Sequence, residues 1–163
     1  MPFDVGDKVV YPHHGAAIIE KRETQTIDGQ EVEYLVLRIS HGELTLKVPA
    51  DNTDSVGLRE VIDADEVEEV FAVLRKVGAR EPTNWSRRFK NHQEKLKSGD
   101  IYQVAEVVRN LSLREREKHL SAGEKRLLQL ARRVLVSELT FAIDVTEEEA
   151  DAKLDEVLAG TPA

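Results

Sequence analysis

The apolar residues of this 163-residue chain change their spacing once, near Ile62, and that change fixes the kind of fold the chain can adopt. Before it they alternate with polar residues, as in Val32, Tyr34 and Val36, or Leu44, Leu46 and Val48. After it they recur at i, i+3, i+4 and i+7, beginning with Val67, Val70, Phe71 and Leu74. Alternation puts apolar groups on one face of a strand, and the longer period puts them on one stripe of a helix. Segregating the two periods predicts an α+β chain, with a small β unit over residues 1–62 and an all-α unit of about five helices over residues 63–163.

Within the β unit, Lys8 to Tyr11 is a short run stopped by Pro12 and turned at Gly15. A second run, from Ala16 to about Thr26, meets a third, Glu31 to Ile39, across Asp28-Gly29, a dipeptide suited to a two-residue hairpin. His41-Gly42 marks another turn, Leu44 to Val48 a fourth strand ended by Pro49, and Val56 to Ile62 a short fifth strand. Five short strands with tight turns predict a strongly bent barrel of the Tudor or SH3 kind. The helices are marked by their caps. Asp63 with Glu66, Ser121 with Glu124 and Thr146 with Glu149 have capping-box spacing, Thr83 and Asp100 are further N-caps, and Gly78 and Gly99 are stops. The inward stripes are Ile101, Val104, Ala105, Val108 and Leu111, then Leu127, Ala131, Val134, Leu135 and Leu139, then Leu154, Val157 and Leu158.

Small-molecule chemistry finds no support in these residues. The chain has no cysteine, so it has no thiol nucleophile and no Cys-ligated metal. His13 and His14 are adjacent and on a strand would face opposite ways, and His41 and His92 have no matching ligand spacing. The nine glycines form neither GxGxxG nor GxxxxGK[ST], and GxSxG and HExxH are absent. Carboxylate runs such as Glu147-Glu148-Glu149 fall in helix first turns, where they suit the dipole. We therefore expect no enzyme, no metal, no cofactor and no small-molecule ligand. No apolar run approaches the roughly 20 residues that cross a bilayer, and no basic leader precedes an apolar stretch. A cytoplasmic protein without membrane contact is the expectation.

The net charge of −8 hides a segregation. Residues 1–74 hold 6 Lys/Arg against 16 Asp/Glu, a net of −10, and residues 141–163 hold 1 against 7, a net of −6. Residues 75–98 hold 8 against 2, a net of +6. Phosphates sense charge within a Debye length of about 8–10 Å, so this local excess governs nucleic-acid affinity more than the total does. The only tryptophan, Trp85, sits here with Arg87, Arg88 and Lys90. On a helix, Trp85, Phe89, His92 and Leu96 share a stripe, flanked by Arg88 and Lys95 on one side and Lys90 and Lys97 on the other. Two readings stay open. In one, Trp85 is the first core anchor of an amphipathic helix with a solvated charged face. In the other, Phe89 and Leu96 hold the helix down while Trp85 projects from the first turn to enter a base step or stack on an unpaired base, with the cations on phosphates. Lys125, Arg126, Arg132 and Arg133 would extend the basic face.

Several stretches together resemble the CarD/CdnL family of bacterial RNA polymerase-binding transcription regulators, particularly its actinobacterial members. They are Val5 to Gly15 (VGDKVVYPHHG), Glu33 to Leu37 (EYLVL), Glu81 to Arg88 (EPTNWSRR), Glu94 to Asp100 (EKLKSGD), Val104 to Arg109 (VAEVVR) and Leu120 to Arg126 (LSAGEKR). The resemblance runs from about residue 3 to 158 in family order and spacing. It implies a Tudor-like domain that binds the protrusion lobe of the polymerase β subunit, and a helical domain that contacts promoter DNA at the upstream edge of the transcription bubble. There the family's tryptophan, matching Trp85, wedges beside the first unpaired bases, with Arg87, Arg88 and Lys90 at the DNA backbone; the basic-face reading adds Lys125 to these DNA-binding candidates. The implied outcome is a stabilised open complex, often at ribosomal RNA promoters, from a monomer associated with the nucleoid through polymerase. Arg22, Gln25 and Lys47 are the polymerase-facing candidates. Actinobacterial relatives carry arginine at the positions of Gln25 and Lys47, so here one loses the charge and the other loses the bidentate fork. The competing readings are an adaptor whose helical domain binds another protein with Trp85 packed inside, and a stand-alone DNA-binding protein.

Overall fold

A computed structural model describes residues 3–12, 14–39, 44–76, 81 and 83–160. Strands β1 (Lys8–Tyr11), β2 (Gly15–Ile27), β3 (Gln30–Ile39), β4 (Thr45–Pro49) and β5 (Arg59–Glu60) form one antiparallel sheet in the order β4-β3-β2-β1-β5. The β2–β3 hairpin closes at Asp28-Gly29, both with positive φ, as its two-residue loop requires. A register shift between Ile19 and Lys21 leaves Glu20 unpaired and bends the long ribbon. Around the bend, Ala17, Ile19, Leu35, Leu37 and Val48 close over Phe3, Val9, Ala50 and Leu58. From Glu23 and Tyr34 outward, both strands are largely exposed to the tip.

The predicted fifth strand is shorter than its sequence suggests. Thr53–Val56 makes one turn of helix, α1, ended by Gly57 in the left-handed region, so only Arg59 and Glu60 pair with β1. Five helices follow: α2 (Ala64–Arg75), α3 (Trp85–Lys97), α4 (Ile101–Glu117), α5 (Ala122–Ala142) and α6 (Glu147–Ala159). All three capping boxes form, each contributing about 1 kcal/mol to its helix end. The N-cap of α3 is Asn84, whose Oδ1 accepts from the Arg87 N–H, rather than Thr83. Residue 83 is one position too early, because the capping oxygen has to reach the amide three residues into the helix. The predicted inward stripes of α2, α4, α5 and α6 are buried in one cluster that also takes in Ile62 and Leu96. The expectations placed on His13, His41-Gly42 and Gly78 lie outside the described residues.

Several contacts among the described residues fasten the sheet to the helices. Glu138 on α5, wholly buried, accepts from Arg59 Nη1 at 2.8 Å, Arg59 Nη2 at 2.6 Å and the Ile62 N–H at 2.9 Å. Ser137 Oγ accepts from the Ala16 N–H at 3.0 Å. Gly99, with φ +75°, admits Pro12 so closely that a Cβ there would stand 2.9 Å from Pro12 Cγ. Lys8 Nζ completes the seam 5.2 Å from the Phe141 ring centroid.

Candidate nucleic-acid interface

Helix α3 carries the basic segment, and its burial pattern separates the residues that the sequence puts on one stripe. His92 and Leu96 are buried and Phe89 is partly buried, which holds the helix against α4 and α5. Trp85, one turn earlier, is 43% exposed. Its ring stacks on Phe89 with centroids 4.8 Å apart and planes 19° apart. Its Nε1–H donates to Ser121 Oγ at 3.1 Å and Glu124 Oε1 at 3.2 Å. The only polar atom of the indole is therefore turned into the protein, and the exposed remainder is hydrocarbon.

Beside the N–H edge of the ring lies a packed charge cluster. Arg88 Nε donates to Glu124 Oε2 at 3.2 Å, Arg114 Nε lies 3.9 Å from the same oxygen, and His92 Nε2 lies 2.8 Å from Glu81 Oε1. Burial pushes the Glu124 carboxyl upward, but the Arg88 guanidinium and the Ser121 donors outweigh it and hold the group below the usual carboxylate range. Glu81 is held low in the same way, by His92 and the two arginines against burial.

These contacts set Arg88 apart from the other basic residues of α3. Only 3% exposed, its guanidinium donates to Glu124 and the Thr83 carbonyl, so it faces the interior rather than the basic surface. Its place on the flank of the stripe is what points it at α5. Arg87 and Lys90, by contrast, are exposed on α3, and Lys125 is exposed next to Glu124 at the start of α5. Arg132 does not extend this face, because it is tied to Asp151 at 2.8 Å and Asp155 at 2.6 Å.

The three polymerase-facing candidates do not share one surface. Lys47 is in register with Val36, and Val36 with Lys21, so these side chains leave the same face of the sheet, together with Glu23 and Gln25. Lys47 Nζ lies 2.7 Å from Glu23 Oε2. Arg22 pairs with Leu35 on the opposite, core-side face. There it bonds Glu33, the Phe3 carbonyl at 2.8 Å and Asp4, clamping the N-terminal segment. Period-two alternation alone separates it from Gln25 and Lys47.

Comparison with known proteins shows the family to which the chain belongs. The family model "CarD-like/TRCF RID domain" matches residues 3–62, and "CarD, C-terminal domain" matches residues 69–155. A Bacillus subtilis (strain 168) protein named "Putative transcription factor YdeB" is 34% identical over 147 residues, 90% of this chain and 96% of that one. The chain belongs to the CarD/CdnL family. A solution structure of the 72-residue N-terminal domain of Myxococcus xanthus CarD is also similar. It is 26% identical, covers 36% of this chain and 77% of that one, and has a TM-score of 0.31. CarD/CdnL proteins are a transcription-factor family, and the cluster beside Trp85 falls wholly within this chain's CarD C-terminal region. Gln25 and Lys47 fall within its RID region. No described helix is long and apolar enough to cross a membrane.

Proposed function

We propose that this protein regulates transcription by binding the RNA polymerase β subunit through its sheet and stabilising the promoter open complex through Trp85. The single observation that carries the reading is the state of that indole. It is 43% exposed at the start of a basic helix and held edge-on by Ser121 and Glu124. In this reading the exposed hydrocarbon face stacks at the upstream edge of the bubble, and Arg87, Lys90 and Lys125 hold the neighbouring phosphates.

The magnitudes suit regulation. Base–aromatic stacking contributes about 1–3 kcal/mol. If it is realised only when the DNA is melted, the open-to-closed ratio rises about 5- to 150-fold. An indole without a free N–H has no hydrogen bond to offer a base edge, so the contact reads melting rather than sequence. Tethering to polymerase through the Gln25–Lys47 face, against the protrusion lobe, supplies the local concentration that an acidic protein with a small basic patch lacks on free DNA. Such a protein works as a monomer in the cytoplasm, at the nucleoid through polymerase, and neither needs a cofactor nor acts as an enzyme. The adaptor reading, which requires Trp85 inside, fits poorly with an indole this exposed.

The test is a photoreactive phenylalanine analogue at position 85 in complexes of polymerase with promoter DNA. Crosslinks to DNA at the upstream bubble edge are expected. Crosslinks confined to protein would overturn the proposal.

A further inference from the structure

The chain builds the same capping box three times, but the three boxes do not do the same thing. In the boxes of α2 and α6 the glutamates, Glu66 and Glu149, stay half-buried or exposed and bond only the N-cap residue of their own helix. In the α5 box, Glu124 is 2% exposed and reaches beyond its helix on both oxygens. Oε1 accepts from Ser121 and from the indole of Trp85, and Oε2 accepts from Arg88. Capping needs none of this burial, because two other helices cap without it.

The packing on the other side of the ring points the same way. Phe89 lies flat under the indole, and its edge abuts Gly123, where a Cβ would stand 2.9 Å from Phe89 Cε1. A side chain at 123 would displace Phe89, the ring on which Trp85 stacks. The α5 first turn therefore meets Trp85 twice, by hydrogen bonds at the ring's N–H and by clearance beneath its stacking partner.

We infer that the first turn of α5 is a seat for Trp85, with Ser121 and Glu124 as positioning residues that fix the indole before DNA is met. This rests on the wedge reading above. A seated ring loses no rotamer freedom on stacking, so more of the stacking energy appears as open-complex stability. The seat also fixes which edge faces out, and so makes the contact indifferent to base identity.

The experiment uses the whole chain and the fact that its indole fluorescence and indole circular dichroism come from one residue. Glu124→Ala should largely abolish the near-ultraviolet indole band and raise the accessibility of Trp85 to acrylamide. The unseated population should rise about tenfold or more, as expected for loss of a charge-assisted hydrogen bond. In complexes with polymerase on a ribosomal RNA promoter, it should shorten the open-complex lifetime towards that of Trp85→Ala. Glu124→Gln, which keeps the acceptor for the indole, should retain more of both signals than Glu124→Ala. If Glu124→Ala does not fold, Ser121→Gly serves instead, because glycine at an N-cap costs only a few tenths of a kcal/mol while removing the hydroxyl. A folded variant with a wild-type indole band overturns the seat. So does an unseated indole with a wild-type lifetime where Trp85→Ala shortens it. If Trp85→Ala itself leaves the lifetime unchanged, the wedge reading is what has failed, and the indole band still decides whether the seat exists.

Discussion

Replacing Glu138 with alanine should loosen the sheet from the helices, and the structure gives the size of the effect. Glu138 is wholly buried and accepts three hydrogen bonds, two from Arg59 and one from the Ile62 N–H. Removing one partner of a buried ion pair costs about 3–5 kcal/mol, and an orphaned buried N–H about 1–3 kcal/mol. These overlap, and they are softened because Arg59 keeps 29% side-chain exposure and its bonds to the carbonyls of Gly99 and Glu60. A net loss of about 3–4 kcal/mol follows, which in a chain of this length lowers Tm by about 6–16 °C. Thermal melts followed by far-ultraviolet circular dichroism measure it directly. A double-mutant cycle with Arg59→Ala should show a coupling of about 1 kcal/mol or more, because each single variant strands the other charge. A Glu138→Ala protein melting within about 2 °C of wild type, or singles that add, would refute the assignment of this bridge as the main fastening.

Three further outcomes follow from the same contacts. Gly99→Ala should destabilise by about 1–3 kcal/mol in denaturant titrations, because it adds a Cβ at a positive φ and drives it against Pro12. Arg87→Ala and Lys90→Ala should each flatten the salt dependence of DNA affinity in the polymerase complex by about one unit of log–log slope, while Arg88→Ala should lower stability instead. The Glu124 carboxyl lies below its usual 4.5 in the folded protein, so its contribution is fully present above that value and is lost as pH falls through the lower folded value. The midpoint of an acid titration of Trp85 emission should therefore fall below 4.5, and Glu124→Gln should remove that component.

The sequence reveals local structure and conceals partners that lie far apart in the chain. Helix starts at Asp63, Asp100, Ser121 and Thr146 are legible because a cap and its amide lie within three residues. The inward faces are legible because a buried stripe repeats within one helix. The fate of Arg88 is hidden, because its partner Glu124 is 36 residues away and looks like an ordinary capping glutamate. The same distance hides the seat of Trp85, although LSAGEK carries a visible signal in retrospect: a capping box with glycine between its two ends. The fifth strand is overread because a run of apolar residues from Val56 does not reveal that Thr53 to Val56 turns as a helix. That Arg22 leaves the opposite face of the sheet from Gln25 and Lys47 is visible only once the alternation of β2 is followed from a known register.

If Trp85 holds the promoter open, its loss must shorten the life of the open complex. The lifetime of open complexes on a ribosomal RNA promoter with the cognate polymerase is therefore measured with wild-type protein and with a folded, polymerase-binding Trp85→Ala. Wild type should lengthen the lifetime by about 5-fold or more, and Trp85→Ala should lose most of that gain. Equal lifetimes with the two proteins would contradict this and return Trp85 to a purely structural role.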